Sequence, residues 1–242
     1  MNRLIVTADD VGLHRGMTEG AIRAHREGIV TGCSIVANGR AFDDAVARLR
    51  DVPSLEVGVH LTLVEEQPLT TMKFPRSYRS FVPRYLARMI SMAEIEAECR
   101  AQIEKVLATG LHVTQLNSHQ HLHMLPRIFE MTMRLADDYD IGYVRIVNDK
   151  GGRAGIARRL AVAALSRLGR AARRPGRTND TTIGVLEAGH LRNIAPLLEH
   201  VEGVTELVTH PGVNVDEYEH WHYEWDAETA ALLGVRLLGV RS

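Results

Sequence analysis

The sequence predicts an α/β fold, a distorted barrel of seven or eight mostly parallel strands with helices outside it. Three observations predict it. Short apolar runs alternate along the chain with amphipathic stretches, the pattern of strand–helix units around a parallel sheet. Seven or eight such units suit a barrel better than an open sheet. No internal repeat or low-complexity linker divides the 242 residues, so 1–242 is expected to be a single domain around one core.

The first strand is expected at Leu4–Ala8, followed by an amphipathic helix over Gly16–Glu27. Thr31–Ala37 and Phe42–Arg50 repeat the unit, and Leu55–Leu63 supplies a third strand. Glu65–Tyr85 then breaks the rhythm. It carries Pro68, Pro75, Pro83 and many polar residues, and it reads as a long surface loop, at about 65–90, of the kind that covers a barrel mouth. Helix resumes at Met92–Ala108, strand at Val113–Asn117, and helix at Pro126–Asp140, where Pro126 suits a first turn that needs no donor. Tyr143–Val147, Thr182–Leu186, Glu206–Thr209 and Val235–Val240 are the remaining strand candidates. Helices are expected over Ile156–Arg173, Leu191–His200 and Ala227–Leu233. Lys150–Arg177 holds nine basic residues and no acidic one, with Leu160, Ala164 and Leu168 at helical spacing. The plain reading is a solvated helix with one stripe toward the core. The other reading is peripheral contact of 150–177 with an anionic membrane surface, or with a negatively charged substrate.

Charge is balanced at 29 basic and 30 acidic residues, so overall charge gives no reason to expect nucleic acid as a partner. Cys33 and Cys99 stand far apart without C-x-x-C spacing, which argues for buried thiols over a disulfide or a zinc knuckle. No apolar stretch approaches the roughly 20 residues needed to span a bilayer. No signal-peptide pattern is visible, so the expected location is cytoplasmic.

The residues that could do chemistry sit at strand ends. Asp9 and Asp10 close the first strand, and adjacent carboxylates repel unless a cation joins them. His60 lies near the end of the third strand, His119 follows the fourth, and His210 follows the seventh. In a barrel these ends share one mouth. Successive residues on an extended chain face opposite ways, so Asp9 and Asp10 can take different roles, one on a metal and one free beside it as a base. Two imidazoles and one carboxylate would leave positions open for water and substrate. Amide hydrolysis also needs an acid for the departing amine, and His210 is the best placed. The run His119-Gln120-His121-Leu122-His123, if extended, puts three imidazoles on one face; His121 and His123, with Asn117 before them, are candidate substrate-binding residues. Each piece has a plain alternative: an Asp pair serves as a cap or turn, a strand histidine as a satisfied core residue, and His210 before Pro211-Gly212 as a turn residue.

These stretches resemble the YdjC-like (ChbG/HpnK) carbohydrate deacetylases. The resemblance rests on residues 5–13, on 28–31 with Val36-Ala37-Asn38-Gly39, and on Val57-Gly58-Val59-His60-Leu61-Thr62-Leu63. It is most specific in Leu116-Asn117-Ser118-His119-Gln120-His121-Leu122-His123-Met124-Leu125-Pro126, and shorter in Thr209-His210-Pro211-Gly212. It implies that Asp10, His60 and His119 bind one divalent metal, that Asp9 is the base that activates water, and that His210 is the acid. It further implies a polysaccharide-deacetylase-like barrel, removal of acetyl from an N-acetylated amino sugar or oligosaccharide with release of acetate, Mg2+ as cofactor, and a homodimer. Two imidazole ligands favour Zn2+ on softness grounds. Val11, His14 and Asn117 stand where the family often has Phe, Ser and Asp, which bears on substrate preference. The rival readings are a metal-dependent phosphoesterase, a two-histidine, one-carboxylate iron oxygenase, and a non-catalytic sugar-binding relative.

Overall fold

A computed structural model describes residues 2–73, 75–149, 154–199, 201–215 and 217–235. Seven strands, all parallel, form one curled sheet: β1 (Arg3–Val11), β2 (Gly32–Ile35), β3 (Glu56–Leu61), β4 (Val113–Ser118), β5 (Tyr143–Val144), β6 (Thr181–Ile183) and β7 (Val204–Thr209). Their order is β5-β4-β3-β2-β1-β7-β6. Helices α1 (Arg15–Arg26), α2 (Phe42–Arg50), α3 (Tyr78–Leu86), α4 (Met92–Leu107), α5 (Pro126–Asp138), α6 (Ile156–Ala172), α7 (Ala195–Leu198) and α8 (Trp225–Leu233) connect the strands.

Leu4, Val6 and Ala8 of β1 join an apolar core with Ile35, Val59, Leu116 and Leu207. The intervening residues Thr7 and Asp9 instead bond polar groups of β7 and of the segment after β5. This alternation gives the sheet an apolar face and a polar one. The sheet's edges are drawn together without a full ladder. Ile146 N donates to Asn179 Oδ1 at 2.8 Å, Asn179 Nδ2 donates to the Ile146 carbonyl at 2.9 Å, and Asp149 bridges Thr182. An asparagine side chain thus does the work of a strand neighbour, which is why β5 stops at Val144 short of the expected Val147.

Two other expectations change. Glu65–Tyr85 is not loop throughout, because α3 forms there and buries Phe81 and Tyr85 with stacked rings 6.2 Å apart. The prolines concealed it: Pro83 is the sixth of its nine residues, inside the helix, where a missing N–H ordinarily argues against helix. Leu191–His200 shrinks to α7: Pro196 sits in its first turn, and a helix begun at Leu191 would have driven that ring into a preceding carbonyl. The strand expected at Val235–Val240 lies outside the described residues except for Val235, and 150–153 of the basic segment lie outside them too. Among the described residues, no helix is long and apolar enough to cross a membrane. Cys33 and Cys99 are buried free thiols.

Candidate metal centre

Asp10 is placed by a break in its strand. Alternation alone would turn it away from Asp9, but its backbone is left-handed (φ 65°) and the β1–β2 register shifts between Ala8 and Val11. Asp adopts this conformation more readily than most residues. The kink brings both carboxylates to the mouth. Asp10 Oδ1 lies 3.3 Å from His60 Nε2 and 3.1 Å from His119 Nδ1. All three residues are buried, and one donor atom from each lies within 4.8 Å of the others. Bonds of about 2.0–2.1 Å to one cation in tetrahedral array require donor separations of roughly 3.3 Å, so the set fits a divalent ion.

The histidines are held from behind. Asn117 Oδ1 accepts from His60 Nδ1 at 2.6 Å, which leaves Nε2 as the free donor atom. His119 is held the other way round: its Nε2 meets Glu65 Oε2 at 3.3 Å, its Nδ1 faces Asp10, and Trp221 stacks on its ring at 5.2 Å. Burial opposes a charged imidazolium, but the Asp10 and Glu65 carboxylates outweigh it and push His119 up to about 10.

Asp9 faces a buried arginine. Arg145 donates to Asp9 Oδ2 at 2.6 Å and to Oδ1 at 2.8 Å, and Ser34 Oγ donates to Oδ1 at 2.6 Å. Burial alone would raise the Asp9 carboxyl, yet the guanidinium holds it well below the usual carboxylate range. Arg145 also bonds Glu206 Oε1 at 2.9 Å through Nε, and Glu206 accepts from Thr7 and Tyr143 as well. The guanidinium thus favours the ionised form of Asp9, whose Oδ1 stands 3.9 Å from His60 Nδ1.

His210 Nε2 lies 3.9 Å from Asp10 Oδ2, and Tyr223 packs edge-on against its ring. Burial pushes its pKa down, against the pull of Asp10 and Asp9. Behind it, the buried Glu228 accepts from the His210 backbone N–H at 2.6 Å, and burial pushes this carboxyl up to about 8. A crevice of about 490 Å³, lined by residues including Tyr223, Trp225 and His222, shares the Tyr223 wall.

The histidine run is not extended. Residues 119–124 form a 3-10 turn with Gln120 and His121 left-handed, so the three imidazoles do not share a face. His123 is fully buried. Its Nδ1 accepts from Ser118 Oγ at 2.7 Å, and its Nε2 donates to the Arg145 carbonyl at 2.8 Å. Asn117 and His123 are fully buried with their side chains engaged by protein groups, and His121 is half-buried. Sequence reasoning missed Arg145, Glu206, Ser34, Glu65 and Glu228. Only Arg145 left a signal: a lone arginine inside the apolar run Tyr143–Val147 must bury its charge against a partner.

A family model described as YdjC-like protein matches residues 3–239. Three curated proteins named carbohydrate deacetylase are similar to this chain. The one from Oceanobacillus iheyensis is 33% identical over 150 residues, covering 57% of this chain and 63% of that protein. The one from Brevibacillus brevis is 36% identical over 142 residues (57% of each), and that from Halalkalibacterium halodurans 38% over 146 residues (57% and 62%). The matched stretch thus spans about three fifths of these relatives' length. A crystal structure from Enterococcus faecalis, described as a candidate cellobiose-phosphate cleavage protein, superposes with a TM-score of 0.71 at 22% identity over 96% of this chain and 91% of that one, a likeness of fold.

Proposed function

The chain belongs to the YdjC-like family, and from that premise we propose that it is a metal-dependent hydrolase that removes acetyl from an N-acetylated amino sugar. One observation carries the reading: a buried Asp10–His60–His119 set that fits a divalent ion, with the ionised carboxylate of Asp9 left out of that set and alongside it. Binding alone has no need of a second carboxylate kept charged by a buried arginine. The relatives named carbohydrate deacetylase support the substrate class. So do the aromatic faces of Trp221 and Tyr223 at the mouth, a surface on which sugar rings pack.

When bound, a divalent ion supplies Lewis acidity toward a water and a carbonyl oxygen. The chain's own residues do the rest. Asp9 takes a proton from the attacking water, and Arg145 keeps it charged and oriented for that. Asn117 and Glu65 fix the ring orientations of His60 and His119. His210 delivers a proton to the amine nitrogen as the C–N bond breaks, leaving acetate and the free amino sugar. Glu228 holds the backbone of His210 in place. Asn117 and His123 act as positioning residues, His123 through the Arg145 carbonyl. Either Mg2+ or Zn2+ suits the donor set, zinc better by ligand softness.

A phosphoesterase working with two metals would need a second ligand group, and the described residues hold one such group. Acetate release is measured across chitooligosaccharides, N-acetylhexosamines and a glycolipid, with and without chelator. The expected result is release from at least one sugar, lost on chelation and restored by a divalent ion. Release that ignores the chelator, or none from ion-loaded protein, overturns the proposal.

A further inference from the structure

All six exposed large apolar side chains among the described residues lie on two segments that leave the mouth end of the sheet. Leu69, Tyr78, Leu86 and Met89 follow β3, and Ile156 and Leu160 open α6 after β5. In the sheet, β3 and β5 flank β4, whose end carries His119. The apolar groups therefore bracket the turn that supplies a metal ligand, and α6 packs against that turn.

The direction of α6 follows from two contacts. Asp149 N donates to Ser166 Oγ at 3.1 Å, and Gly169 sits on the Val147 carbonyl so closely that a Cβ there would fall 1.9 Å from its oxygen. Helix numbering rises as strand numbering falls, so α6 runs back along the barrel. Ile156, ten residues before Ser166, then stands roughly 15 Å beyond Asp149, on the mouth side. Val162, Ser166 and Gly169 face the barrel, while Ile156, Leu160, Ala163, Ala164 and Arg167 are exposed at the spacing of one stripe. Arg159 and Arg170 border it. Arg159 and Arg167 have no acidic partner among the described residues.

Single exposed apolar side chains are ordinary; their confinement to one rim, on a helix with basic residues and no acids, is not. Nucleic acid would answer the arginines and leave Ile156 and Leu160 in water. A bilayer bearing anionic lipid answers both: apolar side chains enter the headgroup boundary while guanidinium groups meet phosphates. We infer that this rim, with α6 as its main element, is a peripheral docking face for an anionic membrane surface, and that docking turns the mouth toward the lipid.

The test is co-sedimentation of the full chain with vesicles of phosphatidylcholine, alone or mixed with phosphatidylglycerol, in rising salt. Binding is expected to the mixed vesicles and to weaken with salt. Arg159→Gln and Arg167→Gln should each cost roughly fivefold on mixed vesicles only. Ile156→Ser with Leu160→Ser should cost about tenfold or more, and Leu86→Ser with Met89→Ser should weaken binding as well. All are exposed, so thermal unfolding and ion affinity should stay as in the parent. Equal binding to neutral and mixed vesicles, or parent-like binding by the Ile156/Leu160 variant, overturns the inference. So does stronger binding to a nucleic-acid duplex than to mixed vesicles at equal salt. The readout needs no turnover: a chain that binds vesicles but releases no acetate refutes the proposed reaction and leaves this face standing.

Discussion

Replacing Arg145 with Met tests how the charge of Asp9 is kept. Arg145 is fully buried and serves two carboxylates: Nη1 and Nη2 grip Asp9 at 2.6 and 2.8 Å, and Nε and Nη2 reach Glu206 Oε1 at 2.9 and 2.8 Å. Arg145→Met leaves both acids buried without their cation. Orphaning a buried charge costs about 3–5 kcal/mol, which for a chain of this length lowers Tm by roughly 6–20 °C. The deficit should depend on pH. In the parent, Asp9 is held low, so its ion pair stabilises the fold above the ordinary carboxylate range and fades as pH falls through the depressed value. In the variant, burial without the guanidinium raises the Asp9 carboxyl instead, so protonation relieves the strain and the gap to the parent narrows from about pH 8 to about pH 5. Denaturant titration at both pH values measures this. A triple change, Asp9→Asn, Arg145→Met and Glu206→Gln, removes the charges together and should recover much of the stability while turnover stays absent. A deficit below about 1 kcal/mol, or one that does not vary with pH, would refute the reasoning.

Asp9→Asn should lower turnover by roughly 10²–10⁴-fold with ion affinity nearly unchanged, whereas Asp10→Asn should weaken the ion itself; calorimetry and acetate release separate the two, and near-normal turnover by the Asp9 variant would remove it as the base. Because His119 sits at about 10 in the ion-free protein, an ion must displace its proton, and affinity should rise about tenfold per pH unit up to that value. Glu65→Gln should flatten that slope and, as loss of a ligand's supporting carboxylate, weaken ion binding roughly 10–100-fold; parent-like titration curves would show that Glu65 merely neighbours His119. Glu228, raised to about 8 by burial, is protonated in the fold and ionised in the unfolded chain from its ordinary value upward, so it lowers stability as pH rises across that window; Glu228→Gln should remove this slope in denaturant titrations.

The fold was largely legible because a parallel sheet buried on both sides writes its strands as apolar runs that end abruptly. Strand ends are therefore visible in the sequence, and Asp9, Asp10, His60, His119 and His210 fall at the ends of strands that share one mouth. Where local rules competed, the reading slipped. Prolines hid α3, and the histidine run looked extended when left-handed residues at Gln120 and His121 curl it.

What the sequence determined by itself is the parallel strand order of events along the chain and the residue types at each strand end, since both follow from local hydropathy and period. Only the tertiary structure decided who faces whom. Arg145 meets Asp9 across 136 positions, His119 meets Glu65 across 54, and Asp10 turns toward His60 only through its left-handed kink. These pairings are made when the sheet curls and excludes water, for a buried charge must find its opposite wherever the curled sheet puts it, and no local pattern records that place.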